Sequence, residues 1–279
     1  MKKFIYNNFE YLRKPQSILR RLSLPCKSKS QHITCRMIAK KNITIRLCEP
    51  VGKAVFLYGV YDLGLSEAII RLLDPEDRVA DIGANIGYST LLCSSFLNNS
   101  KQIHAFEPHP QTFEEITKNL SSNDCQANLY NFALSEIRTQ SFLTIENSDH
   151  RGAAYVAPIG IPIDLQRLDD LDLDINFIKI DIEGHELPAL KGAERTLTKV
   201  RDLIFEDESS NNFELHSFLT RCGFELFKIG RTINGPRIYQ IPDHERRVSL
   251  WEPQNTLATK DPERAQKRFF ARGWQCLKS

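Results

Sequence analysis

The chain is poor in the features that mark several large functional classes. No apolar run among its 279 residues approaches the length needed to span a bilayer. Residues 1–30 carry Lys2, Lys3, Arg13, Lys14, Arg20, Arg21, Lys27 and Lys29 against Glu10, without the continuous apolar core of a secretory signal. Phe4, Ile5, Phe9, Leu12, Ile18, Leu19 and Leu22 fit a basic amphipathic helix, yet a solvated or packed extension is favoured over membrane-surface contact. CxxC pairs are missing. The seven cysteines (26, 35, 48, 93, 125, 222, 276) are scattered and odd in number, which speaks against a disulfide framework or zinc site and for reduced thiols in a cytoplasmic protein. A net charge of +2 argues against an overall nucleic-acid-binding surface. Internal repeats, a G-x-G-x-x-G fingerprint and a Gly-Lys-Ser/Thr phosphate loop are all absent.

The most informative stretch that is present is Val79-Ala-Asp81-Ile-Gly83-Ala84-Asn85-Ile-Gly87-Tyr88. An apolar run ends in an acid, two glycines follow four apart, and Tyr-Ser-Thr-Leu-Leu can start a helix. This is a strand, a tight turn and a helix, the unit in which doubly wound sheets bind nucleotide-like ligands. Asn85 stands where a dinucleotide fingerprint would place its middle glycine. The acid-first D-x-G-x-x-x-G spacing suits a ligand that carries positive charge, and S-adenosyl-L-methionine is one. A second apolar strand, Gln102-Ile-His-Ala-Phe-Glu107, ends in an acid twenty residues beyond Gly87, where a carboxylate can accept both ribose hydroxyls. A third, Asn176-Phe-Ile-Lys179-Ile-Asp181-Ile-Glu183-Gly-His185-Glu186, has an unusually charged end.

With these segments on the page, the chain resembles the FkbM-type methyltransferase family. The matching stretches are residues 81–88, Ala-Phe-Glu-Pro at 105–108, Ala-Leu-Ser at 133–135, Leu168-Asp-Asp-Leu171, residues 178–186 and Leu190-Lys-Gly-Ala193, spread in order over roughly 50–210. The resemblance implies an S-adenosylmethionine-dependent methyltransferase acting on oxygen, of the kind found in glycan or secondary-metabolite pathways. It also implies that the turn of Gly83, Ala84, Asn85 and Gly87 cradles the methionine part, with Asp81 and Asn85 shaping hydrogen bonds there.

Along the chain, residues 1–42 read as a basic extension, 43–241 as the methyltransferase domain and 242–279 as a charged tail outside the core. Ile43–Leu47 and Ala54–Tyr58 fit an opening hairpin, and 64–73 a helix with Ser66 as a possible cap. Strand and helix then alternate at 78–82, 88–97, 102–106, 111–120 and 128–133, as in a parallel sheet covered on both faces. A polar insertion at 135–167 is a reasonable place for substrate recognition. A strand at 176–182, a helix through 187–197, a strand at 202–206 and a helix near 212–221 follow. Strands at 224–229 and 238–241 then flank an Asn234-Gly235 turn. The expected architecture is a class I methyltransferase: α/β, seven strands, mostly parallel, with an antiparallel terminal hairpin.

Site candidates follow from position. Glu107 is assigned to the ribose and, more weakly, Ala133 and Leu134 to the adenine. Alternation along an extended strand would put Lys179, Asp181 and Glu183 on one face, opposite Ile178, Ile180 and Ile182. Three charges in a buried parallel sheet must be paired or face a pocket, and an ion pair of Lys179 with Asp181 or Asp81 is an even alternative to a site role for the lysine. Asp181 stands where methyl donor and acceptor should meet. A hydroxyl acceptor needs a base, and Asp181 or Glu183 is favoured over His185. His150 and Arg151 are read as belonging to a solvated loop. Asp181, Glu183 and Glu206-Asp207-Glu208 could offer oxygen ligands, but the spacing is not diagnostic and a divalent metal stays unassigned. A small-molecule or glycan acceptor is expected. The alternatives are a nicotinamide-dependent oxidoreductase and a non-catalytic binding protein that kept the fold.

Overall fold

The computed structural model describes residues 32–145, 151–207, 213–232, 234–241 and 255–277. The basic stretch before His32, His150, Glu208 and most of the segment between the last hairpin and residue 255 lie outside the described residues.

The main sheet has eight described strands, in the order Gly235–Gln240 (β13), Glu225–Thr232 (β12), Asn255–Thr259 (β14), Asp202–Glu206 (β11), Phe177–Ile180 (β10), Val79–Ile82 (β3), Ile103–Phe106 (β4) and Asn128–Tyr130 (β5). Its parallel part consists of β3 (Val79–Ile82), β4 (Ile103–Phe106), β5 (Asn128–Tyr130), β10 (Phe177–Ile180) and β11 (Asp202–Glu206). Period-two alternation divides two cores. Val79, Ala105, Phe177 and Ile204 face one way, where α2 (Leu63–Leu72), α3 (Tyr88–Ser94) and α4 (Pro110–Ser121) pack. Ala80, Phe106, Ile178 and Phe205 face the other, against α5 (Glu186–Lys191), α6 (Glu194–Leu197) and α7 (Phe213–Arg221). Strand order reverses between β3 and β10, both of which are buried throughout. A crevice at their carboxyl ends is where such sheets take ligands.

Three expectations change at the ends of the chain. The opening hairpin pairs β2 (Asn42–Arg46) with the upstream β1 (His32–Arg36), and 54–58 is helical, within α1 (Pro50–Tyr58). Pro50 opens that helix, Gly59 closes it in a left-handed conformation, and Gly52 approaches Arg46 O so closely that a Cβ would lie 2.1 Å away. These local signals outweigh the β-propensity of Val55, Phe56 and Tyr58. Ser66 is not the cap of α2. Asp62 accepts from Gly64 N and Leu65 N, while Ser66 bonds inside to Tyr61 O and Tyr88 Oη.

The segment placed outside the core supplies its antiparallel strand. Residues Asn255–Thr259 form β14, buried along its whole length and paired antiparallel with both β11 and β12 (Glu225–Thr232). β13 (Gly235–Gln240) pairs with β12 at the outer edge as the expected hairpin, so it is β14 that makes the count eight instead of seven. α8 (Pro262–Phe270) and Trp274 follow, and Trp274 is fully buried. A buried ion pair holds them: Arg71 Nε donates to Glu67 Oε1 at 2.8 Å, and Arg71 also donates to the carbonyls of Arg268, Ala271 and Gly273. Glu67 in turn accepts from Gln275 N and Cys276 N. The charged composition misleads because charges of the tail also pair with the core, Arg264 with Asp202 and Arg268 with Asp74.

The insertion builds a second sheet in the order β6-β9-β7-β8, from β6 (Ala133–Leu134), β7 (Thr139–Thr144), β8 (Tyr155–Ala157) and β9 (Ile161–Gln166). No described helix is long and apolar enough to cross a membrane, and the six described cysteines are free.

Candidate active site

The glycine turn after β3 is fixed by backbone contacts. Gly83 N and Ala84 N donate to Phe106 O at 3.0 and 2.9 Å, and Asp181 N donates to Ile82 O at 3.1 Å. Gly83 has φ +75°, and a Cβ there would sit 2.0 Å from Asp181 O, so no side chain fits between the two strand ends. Asn85 also lies in the left-handed region (φ 50°), which asparagine tolerates better than other residues.

Two clefts open on this turn and share Gly83, Asn85, Gly152 and Asp181. The larger, about 690 Å³, is lined by Phe106, Glu107, Phe132, Ala133, Leu134 and His185, with Leu143, Ala154 and Val156 of the insertion as its outer wall. The smaller, about 540 Å³, is lined by Val51, Tyr61, Leu65, Tyr88, Lys179, Glu183 and Glu206. Glu107, Ala133, Leu134 and His185 therefore meet in one lobe, Lys179 and Glu183 in the other, and Asp181 stands at the junction.

Glu107 is buried. Its carboxylate accepts from Asn85 N and His109 N, both at 2.9 Å. Burial pushes its pKa up to about 7, and the two backbone donors offset only part of that. His109, lowered by burial and the nearby Arg151 charge, caps α4 by accepting from Thr112 N.

Asp81 lines neither cleft. Fully buried, it accepts from Ser89 Oγ (2.8 Å) and Thr90 Oγ1 (2.6 Å) of α3, and its other oxygen lies 3.3 Å from Lys179 Nζ. Lys179 sits opposite Asp81 in register. Its ammonium donates to Gly83 O at 2.7 Å and lies 3.9 Å from Asp181 Oδ2. Burial would lower the lysine pKa, but Asp81 and Asp181 outweigh it and hold the group raised, hence charged. The ion pair envisaged for Lys179 is present with both aspartates, and it ties the turn to β10.

The shared face proposed for Lys179, Asp181 and Glu183 does not persist, because β10 ends at Ile180. Glu183 and Gly184 turn through left-handed conformations (φ 51° and 86°), and the turn, not alternation, brings Glu183 back to the lobe. His185 starts α5 and its Nε2 lies 3.1 Å from Ser135 Oγ, in the other lobe. Burial lowers its pKa, so the ring is neutral. Asp207 turns inward to His216, Lys228 and Thr256, and no group of three metal-binding side chains occurs among the described residues.

Arg151 departs from the solvated-loop reading. It is buried, donating from Nε to Glu49 Oε1 and from Nη2 to Glu115 Oε2, each at 2.7 Å. This clamp lays Gly152 over the turn, where a Cβ would lie 2.9 Å from Asn85 Nδ2. Arg151, Gly152, Tyr61 and the insertion wall carry no motif. Only the tertiary fold brings them to the site.

The sequence profile of the methyltransferase FkbM domain matches residues 81–226, from the acid of the turn to β12. The chain belongs to the FkbM methyltransferase family. That assignment displaces the nicotinamide alternative. The hexuronic acid methyltransferase AglP of Haloferax volcanii is 29% identical over 162 residues, covering 54% of this chain and 65% of the relative. An FkbM methyltransferase from Methylobacillus flagellatus has a TM-score of 0.45 at 18% identity, over 67% of this chain and 44% of that one. SMU.1697c of Streptococcus mutans, solved in complex with SAH, gives 0.42 at 9% identity, over 72% and 98%. This chain thus spans just under two thirds of its curated relative and under half of the FkbM crystal structure's chain. The family assignment rests on the sequence match, and the strand order with β14 inserted agrees with the expected α/β architecture.

Proposed function

We propose that this protein transfers a methyl group from S-adenosyl-L-methionine to a hydroxyl of a carbohydrate or related small molecule. The observation that carries the reading is the joined pair of clefts at the β3–β10 switch point, with Glu107 in one lobe and Asp181 between the two. The residues fit the cofactor. Glu107 is a buried carboxylate facing a cavity, the partner two ribose hydroxyls need, and Phe132, Ala133 and Leu134 offer an apolar wall for the base. Gly83 lets the turn close on Asp181 O, and its backbone lines both clefts where the methionine part would lie. Asp81, Lys179, Ser89 and Thr90 hold the turn in shape from beneath.

When bound, the cofactor supplies an electrophilic methyl group on a sulfonium; as the new O–C bond forms, the S–C bond breaks and its electrons remain on the sulfur. The chain's task is to align the acceptor oxygen, exclude water and receive a proton. Asp181, at the junction, is assigned to take the hydroxyl proton, with Glu183 next to it. His185 is placed with the nucleoside, bonded to Ser135, and is not assigned as base. The likeness to the hexuronic acid methyltransferase of Haloferax volcanii supports a sugar acceptor. Calorimetry with S-adenosylhomocysteine tests the cofactor: micromolar binding is expected, and no heat from folded protein would sink the proposal. Methyl-label transfer across nucleotide sugars, glycosides and phenols then tests the acceptor.

A further inference from the structure

The strap of the insertion that borders both clefts is anchored by a buried guanidinium. Arg151, Gly152 and Ala153 make one tight helical turn, closed by Ala154 N donating to Arg151 O at 3.1 Å. Gly152 lines both clefts and Ala154 the larger one, so this short run borders the joint between the lobes. The insertion has little core of its own to hold it there. Its apolar cluster is built on Ala133, Leu143, Ile163 and Leu165, with Ala154 and Val156 packed against it only partly buried.

Arg151 supplies the anchor. Its side chain is closed off from solvent and uses two different edges, Nε on Glu49 and Nη2 on Glu115, each at 2.7 Å. A buried arginine is costly unless carboxylates answer it, and a fork that reaches two of them cannot be copied by the point charge of a lysine. Both acids stand on the framework and line neither cleft. Glu49 immediately precedes α1, whose Val51 lines the smaller lobe. Glu115 lies one turn after Thr112 of α4, which lines the larger. Each acid is held from a second side as well: Arg46 Nη1 lies 3.4 Å from Glu49 Oε1, and His32 Nε2 lies 3.4 Å from Glu115 Oε1. One side chain thus ties together three pieces of the site wall that are far apart in the chain.

We propose that Arg151 is a positioning residue of the cofactor site: clamped to Glu49 and Glu115, it holds residues 151–154 over the glycine turn, in the place that a bound nucleoside needs. The inference rests on the methyltransferase reading above. Glu49 and Glu115 stand away from the clefts, so they act on the ligand only through Arg151, by having the wall in place before it arrives. If loss of the clamp leaves the wall in place in about one molecule in ten, the apparent affinity falls about tenfold.

The test removes the clamp without altering a residue that lines the clefts. Glu49→Gln/Glu115→Gln leaves the buried guanidinium without counter-charge, so it should leave for solvent and take the strap with it. Calorimetry on the folded variant should show S-adenosylhomocysteine affinity lower by about tenfold or more. Trypsin gives a second readout that needs no ligand. The Arg151–Gly152 bond is a cleavage site whose arginine is buried. Mass spectrometry should show it cut about tenfold faster in the variant, and S-adenosylhomocysteine should slow the cut. If the double variant does not fold by circular dichroism, Arg151→Lys takes its place in both assays, since trypsin also cuts after lysine. It keeps the charge but cannot reach both acids, and the same two changes are expected in smaller size. A folded variant that binds S-adenosylhomocysteine as the wild type does, or a wild type cut at Arg151 as fast as the variant, overturns the inference. A wild type that does not bind S-adenosylhomocysteine is a different result: it removes the methyltransferase reading, and the trypsin comparison then decides whether the clamp holds the strap.

Discussion

Cofactor binding should be proton-linked through Glu107. In the free protein burial holds this carboxyl at about 7. Two ribose hydroxyls donate to the ionised form and replace the solvation that burial removed, so binding returns the group towards its ordinary range. The sign follows. The bound state prefers the carboxylate, protons are released on binding near neutral pH, and affinity falls as the medium becomes more acid than about 7. At about pH 5.5 the free protein is ionised there in only about 3% of molecules, so binding should weaken about 30-fold relative to about pH 8.5, or ~2 kcal/mol. Titration calorimetry with S-adenosylhomocysteine across this range reads the affinity. Repeating it at neutral pH in buffers of different ionisation enthalpy reads the proton, about half an equivalent released. Glu107→Gln should bind more weakly at high pH, by about 10- to 100-fold for a lost charge-assisted pair of bonds, and should flatten the profile. A wild-type affinity that is level between these pH values, or a glutamine variant that keeps the slope, refutes the ribose assignment. The apo protein gives an independent check of sign: a raised carboxyl pKa means that this group's contribution to stability declines as pH rises from the ordinary glutamate value to about 7.

Three further outcomes follow from the geometry. Asp181→Asn should lower methyl transfer by about 10²- to 10⁴-fold, the range for loss of a positioned base, with S-adenosylhomocysteine affinity within a few-fold; unchanged turnover would remove it from the chemistry. Asp81→Asn leaves the buried Lys179 ammonium without its main counter-charge and should destabilise the fold by about 3–5 kcal/mol in urea unfolding, with Asp81→Asn/Lys179→Met recovering part of that. Equal stability of the two variants would mean that the pair is not coupled. Deleting residues 255–279 should abolish cooperative unfolding, because it strips β14 from between two strands; near-ultraviolet circular dichroism of the truncated chain is the measurement.

The central βα units were legible because their signals are local. β3, β4, β10 and β11 are short apolar runs with punctuation at each end, and the observed ranges depart from the expected ones by a residue or two. The candidate residues on those strand tips could be placed the same way. The direction of Asp81 is not legible: periodicity cannot tell whether an acid at a strand end looks up into a crevice or sideways into a helix, and its bonds to Ser89 and Thr90 decide that. Glu183 reached its lobe by a left-handed turn that no alternation rule foresees. The C-terminal region was missed for an opposite reason. No motif marks Arg71 and Glu67, and only their burial against Gly273 and Cys276 shows why so polar a tail docks. Arg151 is the same lesson at the insertion, where its partners Glu49 and Glu115 are 102 and 36 residues away.

The placement of β14 has a consequence for how the molecule comes into being. β11 and β12 cannot close on each other, since the strand that joins them is synthesised some fifty and thirty residues later. Until residue 259 has left the ribosome, both present open edges of backbone donors and acceptors, ready to accept a foreign strand. This sheet therefore closes only after residue 259 has emerged, and expression should reward low temperature and a chaperone that shields those edges.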